Sequence, residues 1–256
     1  MSDPRAVISE RAWVAEDVEI GPFSVIGPDV EIGPGCWIGP HVIVNGPTRI
    51  GQDNRIFQFA SVGEVAQDKK FQGEHATLEI GDGNTIREFV TINRGTGEGG
   101  GLTRVGDRNW IMAYCHVAHD CRIGNDTVFA NNASLAGHVE VADHVVLGGY
   151  SLVHQFCRLG ESALLAFGAH VDRDVPPFLI AAGQRAVPRG INTEGLKRRS
   201  FSPEAVRGLK RAYRELFRGG NRLEDALENL DDMSAEVPAI TQLIRFIRES
   251  QRGVIR

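Results

Sequence analysis

The stretch IGPFSVIGPDVEIGPGCWIGPHVIV, residues 20–44, repeats one pattern every six residues. An aliphatic residue stands at 20, 26, 32, 38 and 44, usually with Gly after it, and the residue four places further on is nearly always small. Helical faces recur every ~3.6 residues and strands alternate every two, so neither explains this period. A short strand followed by a tight corner does, because the aliphatic side chain points inward and Gly permits the bend. Such hexapeptide repeats are typical of a parallel β-helix.

Outward from this stretch, the aliphatic series extends over most of the chain. It runs from residue 8 to 62, from 80 to 92 and from 105 to 171. Three six-residue sides would close a triangular coil of about eighteen residues, and successive coils would stack at ~4.8 Å. Residues 63–79 and 93–104 interrupt the period, so we expect two inserted loops near these positions. Loops on a rigid scaffold often carry binding groups.

The six-residue period ends before residue 192, and helical patterns replace it. FSPEAVRGLKRAYRELFRGG, residues 201–220, has Ser202 as a candidate N-cap, Pro203 at the first helical position and a Gly pair at its end. Helical spacing continues in residues 222–233 and 238–250. The sequence therefore predicts a mainly β chain, with a parallel β-helix over residues 1–191 and a small α-helical domain over residues 192–256.

The composition limits the classes of function. The chain has 256 residues, of which 42% are hydrophobic and 24% charged, with a net charge of −5. This argues against a disordered or a general nucleic-acid-binding chain. No apolar run approaches the length of a membrane span, and the start, MSDPRAVISE, lacks a signal-peptide pattern. We therefore expect a cytoplasmic protein without an integral membrane segment.

The segment AYCHVAHDCRIG, residues 113–124, concentrates chemically reactive side chains. Its register places Cys115 and Cys121 four residues after an inward aliphatic residue, and Cys36 and Cys157 fall at the same place in their own hexads. All four thiols therefore occupy the small inward corner position. They are predicted to pack as small hydrophobic groups rather than to form disulfides, bind metal or act as nucleophiles.

The histidines of this segment differ from the cysteines, and His119 is the more informative of the two. His119 is two places beyond its aliphatic residue, at an outward corner, and the eighteen-residue coil stacks it with Gly137 and Gln155. Asp120 is stacked with His138 in the same way. An imidazole base, a backbone without a side chain and an amide would thus share one column, beside a carboxylate and a second imidazole. This arrangement is a candidate catalytic surface.

Eight motifs together resemble one family over nearly the whole chain. They are QDKKF (67–71), VTINRGT (90–96), GGGLTRVG (99–106), HVAHDC (116–121), FANNASLAGHV (129–139), VHQF (153–156), DVPPF (174–178) and INTEGLKRR (191–199). In this order they resemble the UDP-N-acetylglucosamine O-acyltransferases of lipid A biosynthesis, within the hexapeptide-repeat acyltransferase superfamily. The resemblance implies a left-handed coil and a homotrimer. It also implies transfer of a 3-hydroxyacyl group from acyl carrier protein to the 3-hydroxyl of UDP-GlcNAc, with no cofactor and no metal.

The resemblance also assigns roles to individual residues. His119 matches the general base, Asp120 the neighbour that orients it, and the Gly137 N–H the donor to the developing oxyanion. His138 and Gln155 match positions that contact the acyl chain or the substrate hydroxyls. The positions that match contacts to the nucleotide sugar, the phosphopantetheine or the carrier protein are Asp68, Lys70, His116, His154, Asn192, Glu194, Arg198 and Arg199.

Two positions depart from the family pattern. Asn93 stands where the family often has His, and we assign it no role. Phe167 matches the end of the acyl groove, where a small residue admits long chains. A phenylalanine should fill that space, because overpacking a tight groove costs about 1–3 kcal/mol. We therefore predict a medium-chain donor, closer to 3-hydroxydecanoyl than to 3-hydroxymyristoyl. No residue distinguishes UDP-GlcNAc from its 3-amino analogue as acceptor.

Two other interpretations remain open from the sequence. The histidines at 116, 119, 138 and 154 are numerous enough to hold zinc, and γ-class carbonic anhydrases carry a three-histidine zinc site on the same fold. The chain would then be a zinc-dependent hydratase. Because fold alone does not decide function, a non-catalytic β-helical scaffold is the third interpretation.

Overall fold

The computed structural model describes residues 2–234 and 237–256. Met1 of the predicted β-helix and residues 235–236 of the predicted helical domain lie outside them. Short strands wind into a triangular coil whose three sides are sheets of parallel strands, apart from one antiparallel pair at the C-terminal end of the third sheet. The predicted parallel β-helix is therefore confirmed. The coil is left-handed, as the family resemblance implied and contrary to the general rule for parallel crossovers.

Three sheets form the sides of the coil. Sheet 1 contains β1 (Val7–Ile8), β4 (Val25–Ile26), β7 (Ile43–Val44), β10 (Ser61–Glu64), β13 (Thr91–Asn93), β16 (His116–Val117), β19 (Ser134–Leu135), β22 (Leu152–Val153) and β25 (His170–Val171). Sheet 2 contains β2 (Trp13–Val14), β5 (Val30–Ile32), β8 (Thr48–Ile50), β11 (Thr77–Ile80), β14 (Leu102–Val105), β17 (Arg122–Ile123), β20 (Glu140–Val141) and β23 (Arg158–Leu159). Sheet 3 contains β3 (Glu19–Ile20), β6 (Trp37–Ile38), β9 (Arg55–Ile56), β12 (Thr85–Ile86), β15 (Trp110–Ile111), β18 (Val128–Phe129), β21 (Val146–Leu147), β24 (Leu164–Leu165), β26 (Leu179–Ala182) and β27 (Val187–Ile191).

The hexapeptide pattern accounts for the packing inside the coil. The aliphatic residue of each hexad points inward, and Ile92, Ile32 and Ile86, one from each sheet, are fully buried in a single axial core. Outside the coils that contain the inserted loops, strand pairing repeats every eighteen residues, as in the register of Val117 with Leu135. Each coil therefore buries its aliphatic side chains against identical positions of the next coil.

Two segments leave the coil, at residues 65–76 between β10 and β11 and at residues 94–101 between β13 and β14. Both lie inside the ranges 63–79 and 93–104 expected from the sequence. Each leaves sheet 1 and returns to sheet 2. We call the corner where sheet 1 passes to sheet 2 the site edge, because it also carries His119, which lies between β16 and β17.

Four helices follow the coil in the described part of the chain: α1 (Thr193–Arg198), α2 (Pro203–Phe217), α3 (Leu223–Ser234) and α4 (Pro238–Glu249). Ser202 caps α2 by accepting a hydrogen bond from the Ala205 N–H at 3.1 Å. The helices enclose a second core, which also contains Phe178 and Leu179 from the end of the coil. None of the helices described here has both the length and the hydropathy needed to cross a bilayer.

Candidate active site

The site edge carries the column expected from the eighteen-residue coil. The N–H of His138 donates to the carbonyl of His119 at 3.0 Å, and the N–H of Phe156 donates to the carbonyl of Gly137 at 3.2 Å. These bonds place His119, Gly137 and Gln155 at one corner position of three successive coils.

Asp120 is held by the second inserted loop. Its carboxylate is nearly inaccessible to solvent, with a side-chain exposure of 1%. Thr96 donates its N–H to Oδ1 at 3.0 Å and its hydroxyl to Oδ2 at 2.7 Å. The N–H of Asp120 donates to the Thr103 hydroxyl oxygen at 2.8 Å. These contacts hold Asp120 in place independently of the neighbouring imidazole.

His119 makes its own contact with this carboxylate. Its Nδ1 lies 2.8 Å from Asp120 Oδ2. A carboxylate only accepts hydrogen bonds, so Nδ1 carries the hydrogen and Nε2 keeps a free lone pair. The side chain is 14% exposed, which leaves the ring partly open to solvent. The geometry therefore provides an oriented imidazole whose free nitrogen can accept a proton.

Gly137 lies directly against the His119 ring. A Cβ added there would stand 2.5 Å from Cε1 and 2.7 Å from Nε2, closer than real Cβ atoms approach. Only glycine fits this position without moving the imidazole. Among the described residues, no backbone carbonyl accepts a hydrogen bond from the Gly137 N–H. The peptide next to the His119 ring therefore has an N–H that is free to donate.

His138 extends the same surface. Its ring stacks on Phe156 at 4.4 Å between centroids and meets the His119 ring edge-on at 5.1 Å. Burial lowers the pKa of His138, although the Asp120 charge opposes this effect. Burial therefore favours the neutral form of this second imidazole.

Three other predicted residues lie beside this centre: His116 on β16 of sheet 1, and His154 and Gln155 at the site edge. The His116 Nδ1 lies 2.7 Å from the Thr91 hydroxyl, and burial is the main cause that lowers the pKa of His116. His154 and Gln155 are exposed two coils above His116.

Asp68 and Lys70 belong to the first inserted loop. Asp68 Oδ1 accepts a hydrogen bond from the Lys70 N–H at 2.9 Å. The Lys70 ammonium lies 3.8 Å from Glu98 Oε2, which links the two loops. Between the loops lies a cavity of about 570 Å³ that both residues line. The loops thus form an open polar pocket next to the site edge.

The four predicted residues around α1 lie at a different corner. Asn192 caps α1 by accepting from the Gly195 N–H at 3.1 Å, and it donates to the Ser162 carbonyl at 2.9 Å. Arg199 pairs with Glu161 at 2.7 Å. Glu161 and Ser162 stand where sheet 2 passes to sheet 3, so α1 is not at the site edge of its own chain.

Two predicted residues of α1 are open to solvent. Glu194 pairs with Lys197 at 2.9 Å, and the ammonium hydrogen bond lowers the pKa of that carboxyl. Arg198 is exposed.

Phe167 lies at the third corner, where sheet 3 passes to sheet 1. Its side chain is 79% exposed and meets the Tyr150 ring at 5.9 Å between centroids. Sheet 1 separates it from His119 within one chain. The predicted residues are therefore distributed over all three corners of the coil.

The metal-binding capacity of the site edge is limited. In the described ranges, one group of three potential ligands has its donor atoms within 4.8 Å of one another: His119, Asp120 and His138. His116 and His154 do not join it. Asp120 already accepts hydrogen bonds from Thr96 and His119 on the oxygens that zinc would use. The donor set does not fit a three-histidine zinc site.

The cysteines occupy the interior of the coil, as their register indicates. All four are buried and free. Burial raises the pKa of the Cys115 and Cys121 thiols to about 12 and that of Cys157 to about 11. These thiols stay protonated near neutral pH and are poor nucleophiles.

Sequence reasoning missed three residues that support the site: Thr96, Thr103 and Arg252. The threonines hold Asp120, and Arg252 donates to His154 Nδ1 at 2.9 Å. The motifs VTINRGT and GGGLTRVG contain both threonines. Thr96 lies in the inserted loop, outside the register, and Thr103 is 17 residues from Asp120, so the eighteen-residue repeat stacks neither of them on Asp120. Arg252 had no signal in the sequence.

The chain matches models of two protein families. The model described as "Udp N-acetylglucosamine O-acyltransferase; Domain 2" matches residues 174–255. The model described as "Bacterial transferase hexapeptide (six repeats)" matches residues 11–46 and 102–137.

Relatives of known name align over almost the whole chain. An acyl-[acyl-carrier-protein]–UDP-N-acetylglucosamine O-acyltransferase from Halorhodospira halophila is 58% identical over 99% of this chain and 98% of its own length. The protein of the same name from Alkalilimnicola ehrlichii is 59% identical with the same coverage. The solved UDP-N-acetylglucosamine acyltransferase of Francisella novicida superposes with a TM-score of 0.97 at 41% identity, covering 100% of this chain and 94% of that one. The chain belongs to the UDP-N-acetylglucosamine O-acyltransferase family.

Proposed function

We propose that this chain transfers a 3-hydroxyacyl group from acyl carrier protein to the 3-hydroxyl of UDP-GlcNAc, the first step of lipid A biosynthesis. The names of its relatives state the donor carrier and the acceptor. The observation that carries the proposal is the His119 imidazole, oriented through Nδ1 by Asp120 and lying against the side-chain-free peptide of Gly137. The zinc-hydratase interpretation is not favoured, because the relatives above are acyltransferases and the donor set does not suit zinc.

In the proposed reaction, Nε2 of His119 removes the proton from the sugar 3-hydroxyl as that oxygen attacks the thioester carbonyl. Asp120 stabilises the resulting imidazolium through its bond to Nδ1–H. The Gly137 N–H stabilises the oxyanion of the tetrahedral intermediate. When the intermediate collapses, the carbon–sulfur bond breaks and the imidazolium returns the proton to the departing thiolate. No covalent bond to the enzyme forms, and we propose that no resident metal or cofactor takes part.

The remaining predicted residues would bind the parts of the substrates that do not react. We propose that His138 and Gln155 contact the acyl chain or the substrate hydroxyls, since they flank the base. His116, His154, Asp68 and Lys70 lie along the site edge and its loops, within reach of an extended nucleotide sugar or phosphopantetheine.

The α1 residues would have a more distant role. Asn192, Glu194, Arg198 and Arg199 lie at the corner between sheets 2 and 3, so they would contact the carrier protein or the nucleotide end. The guanidinium groups of Arg198 and Arg199 suit phosphate oxygens. We also propose a cytoplasmic location, which we expected from the absence of a long apolar run.

We further propose a homotrimer, because sheet 1 has an outer face suited to burial. The outward residues of its ladder from Val7 to His170 include no acid, Lys or Arg, and Val7, Val25, Ile43 and Leu152 are exposed. The corresponding ladder on sheet 2 consists of Glu and Arg from residue 31 to 158. Exposed apolar surface of this extent commonly marks an interface.

The corner between sheets 3 and 1 supports the same assembly. It carries a ladder of stacked rings with centroids 4.8–5.3 Å apart: Phe23, His41, Phe59, Phe89 and Tyr114. If sheet 1 faces a threefold axis, this corner of one copy meets the site edge of the next, which closes the ring. Phe167 would then lie near a neighbouring His119 and could limit the length of the acyl chain.

The test is mass spectrometry of the products formed from UDP-GlcNAc and a series of 3-hydroxyacyl carrier proteins. We expect a mono-acylated sugar nucleotide, no product with His119→Ala, and unchanged activity after chelator treatment. Loss of activity on chelation would support a metal enzyme. Full activity of His119→Ala would refute the mechanism, and absence of acylated product from every donor would favour a scaffold. Light scattering should give three times the 27.9 kDa of one chain, and any other mass would refute the trimer.

A further inference from the structure

The C-terminal segment, residues 250–256, is fixed onto the coil. Val254 is buried in the helical core and Ile255 in the axial core, so the segment joins the two. The N–H of Asp174 donates to the Gly253 carbonyl, and the N–H of Ile255 donates back to the Asp174 carbonyl, each at 3.0 Å. The Ser250 hydroxyl donates to Asp174 Oδ2 at 2.7 Å. This anchoring gives Arg252 a fixed position.

Arg252 reaches the site edge from this segment. Its Nε donates to the Asp172 carbonyl at 2.8 Å, and its Nη2 lies 2.9 Å from His154 Nδ1. No carboxylate in the described part of the chain forms an ion pair with it within 4.0 Å. The guanidinium lines a groove of about 770 Å³ that Asp120 and His138 also line. It therefore stands beside the catalytic surface and is directed at one histidine.

Two contacts at His154 Nδ1 require opposite protonation states. The Gln155 carbonyl, 3.2 Å away, would need a hydrogen on Nδ1. The Arg252 guanidinium has donors only, so its shorter contact needs a lone pair on Nδ1. A hydrogen bond from a charged donor is roughly twice as strong as a neutral one. The arginine therefore decides the tautomer, and the hydrogen of the neutral ring lies on Nε2.

We propose that Arg252 is a positioning residue that holds His154 in its Nε2–H tautomer, so that His154 offers a hydrogen-bond donor to an acceptor oxygen of a substrate. His154 lies two coils above His116 at the site edge, and its exposed ring is free to meet a ligand. The acceptor is a phosphate or carbonyl oxygen, which either the nucleotide sugar or the phosphopantetheine thioester can supply. This substrate contact rests on the proposed acyl transfer, whereas the tautomer does not.

The tautomer is measured by two-bond proton–nitrogen correlation on the full chain labelled with ¹⁵N-histidine. Spectra of His154→Gln assign the resonance among the eight histidines. In the wild type we expect a protonated Nε2 and an unprotonated Nδ1. In Arg252→Ala, only the Gln155 carbonyl still contacts Nδ1, so the hydrogen should move to Nδ1. A wild-type ring protonated on Nδ1, or a tautomer that Arg252→Ala leaves unchanged, would overturn the proposal.

Kinetics test the substrate contact with the same variants. Losing a hydrogen bond of this kind raises KM by roughly tenfold to a hundredfold, and we expect kcat to stay within about twofold. A rise in KM for UDP-GlcNAc identifies the nucleotide sugar as the partner, and a rise for the acyl carrier protein identifies the donor. Arg252→Lys should restore the tautomer and most of the affinity, since an ammonium also donates.

The matched control is Arg248→Ala. Arg248 lies on α4, outside the groove, and its guanidinium binds Asp231 of α3 at 2.7 Å. The variant should leave both the tautomer and KM unchanged. Unchanged KM values for both substrates in Arg252→Ala, or an equal rise in the control, would overturn the substrate contact. If the wild type forms no acylated product, the acyl-transfer proposal fails, and the spectra still decide whether Arg252 sets the tautomer.

Discussion

Replacing Gly137 with Ala tests whether the reaction needs a residue without a side chain next to the His119 ring. The new Cβ would stand 2.5 Å from His119 Cε1, against ordinary contacts of 3.4–4 Å. The imidazole must therefore retreat by about 1 Å, and a misplacement of that size costs about a hundredfold in rate. The φ of Gly137 is not in the left-handed region, so the change adds no backbone strain. We expect kcat to fall about a hundredfold, with KM for both substrates nearly unchanged.

Gly149 supplies a matched control for this variant. It occupies the same place in its hexad, two residues after an inward Leu, and a Cβ there would meet nothing closer than 3.4 Å. Gly149→Ala should therefore retain wild-type kcat in a carrier-protein release assay. Overpacking at Gly137 costs about 1–3 kcal/mol, so circular dichroism should show a folded variant. Wild-type kcat in Gly137→Ala, or an equal loss in Gly149→Ala, would refute the argument.

Three further predictions follow from the site. Asp120→Asn removes the acceptor that keeps the hydrogen on His119 Nδ1, so kcat should fall on the order of 10³–10⁴-fold. The far-ultraviolet circular dichroism spectrum should stay unchanged. A loss of kcat below about tenfold would contradict this prediction. Burial lowers the pKa of His116 in the folded chain below its ordinary 6.5. As the pH falls through 6.5, the unfolded chain therefore binds a proton that the folded chain does not yet bind, and the free energy of unfolding decreases. This decrease ends once the pH is below the folded-state pKa. Melting midpoints of His116→Gln should then depend less on pH than those of the wild type between about pH 7.5 and about pH 5, and parallel curves would refute this. Phe167→Gly should raise the preference for 3-hydroxymyristoyl over 3-hydroxydecanoyl donors by about five- to a hundredfold, and an unchanged ratio of kcat/KM would exclude the groove assignment.

The coil and the column of His119, Gly137 and Gln155 were predictable because both follow from an uninterrupted repeat. From residue 105 to 171 no residue is inserted, so adding eighteen to His119 gives the residues that stack on it. The six-residue period also determines which side chains point inward, which is why the cysteines could be assigned to the core. A regular register converts sequence separation directly into distance.

The polar partners of the column were not predictable, because they come from segments outside the register. Thr96 is 24 residues from Asp120 and Arg252 is 98 residues from His154. Asn192 is a further example, since its side chain caps α1, a contact that no sequence pattern indicated. Such contacts depend on how loops and chain ends fold back, which no local pattern encodes.

The interruption of the repeat makes the site edge chemically different from the other corners. Asp126, at the equivalent position of the next corner, where no loop is inserted, is 34% exposed, whereas Asp120 is covered by residues 94–101. Gly99 lies so close that a Cβ there would stand 2.1 Å from the carboxylate, so a larger residue would push this cover away. A carboxylate shielded from water and held by two Thr96 donors interacts with an imidazole more strongly than an exposed pair would. The glycine-rich insertion therefore converts an ordinary histidine–aspartate pair at a coil corner into a shielded, oriented pair suited to the general-base role that we propose for His119.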